Sequence, residues 1–308
     1  MPVPALIAID WGTTRLRAWL MAADGSVLTE HRSDDGLIEA QKKRFSTVYA
    51  ATLEKLRAPA GLPAIICGMA GSRQGWIEAP YVPVPAPLSA VLKEAARVPQ
   101  PGADIRIVPG LAQTTPDAPD VMRGEETQLA GAGLPEEGTH LICMPGTHCK
   151  WVTVDADRVK TFGTWPTGEL YALIAGQSIL RHSLGEPPTA VSASNPAFAE
   201  ACRTALAEGG DFSARLFSIR AGTLLNGLSP ADAAARLSGL LIGAEIASAR
   251  LHLPPLPARR VVLVASGPLA GLYAAAFALA GFEVRSVDAE AAVRAGLYEA
   301  ARQNGMVA

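Results

Sequence analysis

A strand, a glycine-threonine turn, a second strand and a hairpin occur twice in this chain, and that repeat limits the folds open to it more than any other feature. In the first copy Ala5 to Ile9 is a continuous apolar run that reads as a buried strand. Asp10 to Thr14, DWGTT, breaks the run, and Arg15 to Leu20 then alternates polar and apolar residues. Asp24-Gly25 marks a hairpin into a third strand over Ser26 to Glu30. In the second copy Leu141 to Met144 is the strand, Pro145 to Lys150 the turn and Trp151 to Asp155 the next strand. Asp155-Ala156-Asp157 turns the chain, and Val159 to Trp165 returns. The turns carry Gly12-Thr13 in one copy and Gly146-Thr147 in the other. A repeated supersecondary unit implies two related domains, here expected to face each other across a cleft. Because a strand follows the glycine turn, a dinucleotide site of the GxGxxG type is disfavoured, and no GxxxxGK[ST] occurs.

The rest of the chain alternates strands with helices, which predicts an α/β architecture. Phe45 to Leu56 has helical spacing and is stopped by Pro59-Ala60-Gly61. Ala64 to Met69 and Ile105 to Val108 read as strands, with a proline-rich loop from Ala79 between them. Thr114 to Asp120 is polar and contains proline, so it is the expected crossing between domains 1–115 and 116–308. A helix near Arg123 to Ala132 would open the second half. Ser229-Pro230-Ala231-Asp232 has the cap, first-turn proline and acidic third position of a helix start, and that helix should run to about Arg250. Arg260 to Ala265 and Glu283 to Val287 are further strands, each followed by a helix.

The 308 residues allow about two domains, and an apolar content of 49 % supplies core for both. The net charge of -2 gives no field that would favour nucleic acid. Cys67, Cys143, Cys149 and Cys202 form no CxxC, which points to a reducing compartment. MPVPALIAID lacks the pattern of a signal peptide, and Leu269 to Gly281 is too short to span a bilayer. The expectation is a cytoplasmic protein, monomer or homodimer, with no membrane or nucleic-acid partner.

Successive backbone N–H groups in a tight Gly-Thr turn converge on one point and make a nest for an anion. Two such turns suit two parts of a polyphosphate. Phosphoryl transfer also needs a hard cation, and Asp10 ends the first strand beside its turn. Met144 and Pro145 stand near the equivalent place in the second copy, so only one domain would hold the metal. His140, Cys143, His148 and Cys149 make a tempting soft-metal group, but their spacing is not that of a zinc site. Glu125 and Glu126 lie at a helix start, where a carboxylate can act as a base or simply complement the helix dipole. Arg123 offers a planar fork for a carboxylate or serves as a surface residue.

These residues carry a family resemblance. IAIDWGTTRLRAW resembles the first phosphate motif of the sugar kinase, Hsp70 and actin superfamily, MPGTHCKWV the second, and VVLVASGPLAGLYAAAFALAG the adenosine motif. With GMAGSRQGW and VMRGEETQLAGA, nearly the whole chain resembles the 2-dehydro-3-deoxygalactonokinase family. The resemblance implies a two-lobed, ribonuclease H-like (actin-like ATPase) fold that uses ATP and Mg²⁺ on a small sugar acid. By family pattern Asp10 would reach the metal, Gly12, Thr13 and Thr14 would form the first phosphate turn, and Gly146, Thr147 and His148 the second. Gly267 would pack on the nucleoside, although Ser266-Gly267 replaces the usual pair of glycines. Related kinases place an Asp where this chain has Glu125 and Glu126, and helix spacing to Gly133 favours Glu126 as the base. Arg123, Arg73 and Lys150 are candidate cations for the substrate carboxylate, and Trp76 either packs on its carbon chain or is a core aromatic. Other readings are a kinase for another sugar or sugar acid, a phosphatase on the same core, and a non-catalytic ATP-dependent sugar-acid sensor.

Overall fold

The computed structural model describes residues 2–135, 137–187, 189–208, 212–253 and 259–307. The chain forms two compact units. The first comprises Met1–Gly138, Val154–Thr161 and Ala289–Ala308, the second Thr139–Thr153 and Phe162–Asp288.

The first unit opens with β1 (Pro4–Trp11), β2 (Leu16–Ala22) and β3 (Val27–Ser33), then α1 (Leu37–Lys43), α2 (Phe45–Leu56) and β4 (Ala64–Gly68). It continues through β5 (Tyr81–Pro83), β6 (Ala86–Pro87), α3 (Leu88–Lys93), β7 (Ala96–Arg97) and β8 (Ile105–Ile107). β9 (Gly110–Gln113), β10 (Asp120–Met122) and α4 (Glu125–Gly131) follow. The main sheet has the order β3-β2-β1-β4-β8-β7, with β1 antiparallel to β2 and parallel to β4.

β1 is apolar without alternation because both of its faces are buried. Ile7, Ile9 and Trp11 join the cluster that contains Val48 and Tyr49 of α2. Leu6 and Ala8 point the other way and pack with Val293, Leu297 and Ala300. Those three belong to α10 (Ala289–Gln303), which returns from the far end of the chain. Asp10 lies in register with Cys67 of β4 and Arg17 of β2.

The second unit contains β11 (Thr139–Met144), most of β12 (Cys149–Asp155) and the later part of β13 (Arg158–Trp165). It then runs through α5 (Thr167–Gln177), α6 (Pro196–Ala207), α7 (Ser213–Leu225), α8 (Pro230–His252), β14 (Arg260–Val264), α9 (Pro268–Leu279) and β15 (Glu283–Val287). Its strands run in the order β15-β14-β11-β12-β13, with β11, β14 and β15 parallel. The Ser229 hydroxyl accepts from the Asp232 N–H and Pro230 fills the first turn, so α8 starts where its sequence signals placed it.

The compact units do not divide at residue 115. Thr114 to Asp120 joins β9 to β10, which pair Leu111 with Met122 inside the first unit. The helix expected to open the second half, α4, also belongs to the first unit, packed against α10. No described helix is long and apolar enough to cross a membrane.

Candidate active site

In the first unit the turn after β1 is closed by the Gly12 N–H donating to the Arg15 carbonyl at 2.8 Å. The start of α1 holds it from behind: the Leu37 N–H donates to the Gly12 carbonyl at 2.9 Å and the Ile38 N–H to the Thr13 carbonyl at 3.3 Å. Thr13 and Thr14 are exposed, with their hydroxyls on the surface of the turn. Asp10 is 21 % exposed, and its Oδ2 lies 3.9 Å from the Arg17 guanidinium. Its other oxygen is 3.9 Å from the Cys67 thiol. Loss of water raises the Asp10 pKa, and Arg17 pulls it back only in part.

Gly68 brings a second element to this point. Its φ of +87° suits glycine, and a Cβ there would lie 2.6 Å from the Trp11 carbonyl oxygen. Gly124, which caps α4 at φ +103°, sits so close that its own Cβ would be 3.4 Å from the Gly68 Cα. Three backbones therefore stack without side chains between them. The stack carries the start of α4, with Glu125 and Glu126, toward the end of β1.

The two glutamates differ sharply. Glu126 is fully buried. The Gly124 N–H donates to its Oε2 at 2.7 Å and the Thr127 hydroxyl to its Oε1 at 2.9 Å. Burial, helped by the charge of Glu125, pushes its pKa up to about 8. Glu125 is half-buried and accepts the Arg123 N–H at 3.0 Å. Sequence spacing had favoured Glu126 as the inward carboxylate. It does point inward, but into protein, with both oxygens engaged.

Of the expected substrate cations, Arg123 is held most firmly. Its guanidinium lies 4.3 Å from the centre of the Tyr81 ring and donates from Nη2 to the Ala79 carbonyl at 2.8 Å. Its Nε and Nη1 are buried without partners, as is the nearby Ser72 hydroxyl. Arg73 is exposed. Trp76 packs at 6.1 Å from Trp11, 6.4 Å from Phe45 and 5.4 Å from Tyr49, so it is a member of the aromatic core. Lys150 belongs to the second unit, where it is 6 % exposed on β12 and donates to the Thr164 hydroxyl at 2.7 Å.

In the second unit Gly146 and Thr147 turn the chain between β11 and β12. The Glu169 N–H donates to the Thr147 carbonyl at 2.9 Å, and the Glu169 carboxylate meets His148 Nε2 at 2.8 Å. Gly168 lies against the turn so closely that a Cβ there would be 2.3 Å from the Gly146 carbonyl oxygen. Beside this turn opens a cavity of about 530 Å³ lined by Thr147, Tyr171, Ser238, Leu241 and Leu272 among others. Gly267 caps α9 at φ +65°, and the next residues, Pro268 and Leu269, line the cavity. The sequence did not point to Tyr171 or Ser238. The available signal was a lone hydroxyl on the apolar face of α8.

His140, Cys143, His148 and Cys149, set aside as a zinc site on their sequence spacing, do not come together as a foursome. Cys143 and Cys149 meet at 3.5 Å, and the third group beside them is Glu245, not a histidine. Glu245 accepts from Trp151 Nε1 at 2.8 Å and from the Tyr273 hydroxyl at 2.7 Å, so the cluster works as a hydrogen-bonded core.

A doubled strand-turn-strand, with a carboxylate at one turn and a nucleoside-sized cavity beside the other, defines a nucleotide-handling α/β protein of the actin-like ATPase class. The fold is shared with the activator of 2-hydroxyisocaproyl-CoA dehydratase from Clostridium difficile, solved with bound ADPNP. The TM-score is 0.52 at 13 % identity, covering 98 % of this chain and 96 % of that one. Residues 10–300 match the profile of the 2-keto-3-deoxy-galactonokinase family, and the chain belongs to that family. It is 49 % identical over 296 residues to a probable 2-dehydro-3-deoxygalactonokinase of Rhizobium meliloti, covering 96 % of each chain. It is 38 % identical over 294 residues to the 2-dehydro-3-deoxygalactonokinase of Escherichia coli, covering 94 % of this chain and 95 % of that one. A crystal structure of a 2-dehydro-3-deoxygalactonokinase protein from Sinorhizobium meliloti superposes with a TM-score of 0.91 at 48 % identity, covering 96 % and 98 % of the two chains.

Proposed function

We propose that this protein transfers the γ-phosphoryl group of ATP to the 6-hydroxyl of 2-dehydro-3-deoxy-D-galactonate, giving 2-dehydro-3-deoxy-6-phospho-D-galactonate. The observation that carries this reading is the match across residues 10–300, together with relatives at 49 % and 38 % identity that bear the name. A cytoplasmic monomer or homodimer fits such an enzyme.

The residues fit the groups this reaction needs. Asp10 is a carboxylate short of water with a raised pKa, and a divalent cation beside it would restore the ionised form. Mg²⁺ bound there would neutralise charge on the phosphate oxygens. In the first unit Thr13 and Thr14 offer N–H and hydroxyl donors to phosphate oxygens, on a turn that Gly12 closes with its own N–H; in the second unit Gly146 and Thr147 offer donors of the same kind, beside His148. The cavity beside Thr147 has the size and apolar lining for a nucleoside, with Gly267 setting the start of α9 at its edge.

Of the two glutamates, Glu125 reaches the surface, so we assign it the proton of the sugar hydroxyl. Glu126 then fixes the start of α4, on which Glu125 stands. Arg123, held over the ring of Tyr81, is the cation assigned to the substrate carboxylate, with Arg73 as the exposed alternative. Lys150 steadies β12 and Trp76 the core behind the first turn.

ATP turnover measured against a panel of sugar acids and neutral sugars tests the proposal. Activity confined to 2-dehydro-3-deoxy-D-galactonate supports it. Turnover only on neutral sugars, or nucleotide binding without transfer to any acceptor, would overturn it.

A further inference from the structure

The cavity of the second unit has a restricted chemistry. Its polar side chains are all hydroxyls among the described residues: Thr147, Thr167, Tyr171, Thr189, Ser238 and Tyr273. No charged or amide side chain lines it there. Three of the hydroxyls already serve the protein. Tyr273 donates to Glu245 at 2.7 Å, Thr167 also bonds Glu245, and Thr189 donates to the Leu184 carbonyl at 3.3 Å. Thr147 belongs to the phosphate turn.

Ser238 is different. It stands in the middle of α8, 5 % exposed, one turn before Leu241 and Ile242, which line the same wall. Its hydroxyl has no hydrogen-bond partner among the described residues. Other helical hydroxyls of this chain bond back to the carbonyl four residues earlier, as Thr52 and Thr223 do. A base entering between Leu241, Ile242 and Leu272 therefore meets, besides the Tyr171 phenol, an uncommitted serine hydroxyl in an apolar wall.

A hydroxyl donates or accepts by rotation about one bond. It can accept from the 6-amino group of adenine or donate to the 6-carbonyl of guanine. Discrimination between two bases needs a group whose donor or acceptor character is fixed, so that the wrong base leaves it unpaired. The lining side chains include no such group among the described residues.

We propose that Ser238 meets the edge of the purine, and that the enzyme accepts GTP as well as ATP as phosphoryl donor. This inference rests on the kinase reading above. The transfer balances in the same way with either donor. The sugar 6-oxygen forms the new bond to the γ-phosphorus, the bond from that phosphorus to the β,γ-bridging oxygen breaks, GDP or ADP leaves, and the hydroxyl proton passes to a carboxylate. A pyrimidine offers the apolar wall of Leu241, Ile242 and Leu272 less contact surface than a purine, so UTP should be the weaker donor.

The test compares kcat/KM for MgATP, MgGTP and MgUTP at saturating sugar acid, in the wild type and in Ser238→Ala, and measures Kd for ADP and GDP by calorimetry. We expect GTP within about tenfold of ATP, and UTP below both. Ser238→Ala should raise KM and Kd for both purine nucleotides about three- to tenfold, the loss of one hydrogen bond, with KM for the sugar acid unchanged. GTP at less than about one-hundredth of ATP would overturn the tolerance, a result on the wild type that no folding defect can mimic. Unchanged Kd values in Ser238→Ala would remove Ser238 from the base. If the wild type transfers to no acceptor but binds ADP and GDP alike, and Ser238→Ala weakens both, the site assignment stands and the kinase reading falls. Binding of neither nucleotide would end the assignment itself.

Discussion

Raising the pH from about 5 to about 9 should destabilise the protein through Glu126, against the usual behaviour of a carboxylate. Its pKa in the folded protein is about 8, from an ordinary value of 4.5. Between those values the folded state keeps a proton that the unfolded chain has already lost. Stability therefore falls as pH rises, by about 1.4 kcal/mol per pH unit. The loss starts above the unfolded pKa and is complete once the pH exceeds the folded one, on the order of 5 kcal/mol in all. Glu126→Gln imitates the protonated group: its amide oxygen can accept from the Gly124 N–H while its NH₂ donates to the Thr127 hydroxyl. The variant should lie within about 1 kcal/mol of the wild type near pH 6 and be several kcal/mol more stable near pH 9. Urea unfolding at a series of pH values, followed by the fluorescence of Trp11, Trp19 and Trp76, measures both curves. Groups common to the two proteins cancel in their difference. Parallel curves across this range would refute the reasoning.

Three further expectations concern activity. Asp10→Asn should cut turnover severely and weaken its dependence on Mg²⁺, with the unfolding curve little changed; steady-state kinetics across a Mg²⁺ series checks this, and near-normal rates would remove Asp10 from the metal. Glu125→Gln should lower kcat by about 10²- to 10⁴-fold with ATP affinity intact. A mild Glu125→Gln beside an inactive, well-folded Glu126→Gln would return the base to the buried residue. Arg123→Met should raise KM for the sugar acid by about ten- to a hundredfold and leave a neutral analogue unaffected; equal losses on both substrates would make Arg123 a purely structural residue.

How much of this was legible depended on the range of the interactions involved. Phe45–Leu56 matched its expected limits because a local helical pattern and a local stop define it. Ser229 capped α8 for the same reason, since the cap bonds three residues away. The Gly-Thr turns and Asp10 could be read because strand and turn are contiguous in sequence. The unit boundary could not be, because it is set by the return of α10 onto α4, and those helices lie far apart in the chain. The glutamates show the same limit within one element. Adjacent helix positions point about 100° apart, so one had to be inward, but only the stack of Gly124 on Gly68 fixes what inward means there. Lys150 was singled out by its charge alone, and its bond to Thr164 comes from β13, a strand that its own motif does not contain. Tyr171 and Ser238 meet in one cavity from α5 and α8, a convergence no local motif announces.

The returning helix has a consequence for synthesis. Leu6, Ala8, Trp19 and Met21 are fully or almost fully buried, and Val293, Leu297, Ala300 and Ala301 of α10 form part of their cover. On the ribosome those residues are made after the whole second unit. At ordinary translation speeds, the sheet of the first unit waits roughly ten to thirty seconds with that apolar face open. Only at the end of this interval does the second unit have every residue of its own core, and through all of it the first remains a template without its last layer. Chaperone demand should therefore peak late in synthesis, and a chain truncated just before Ala289 and released from the ribosome should hold one finished body and one adhesive one.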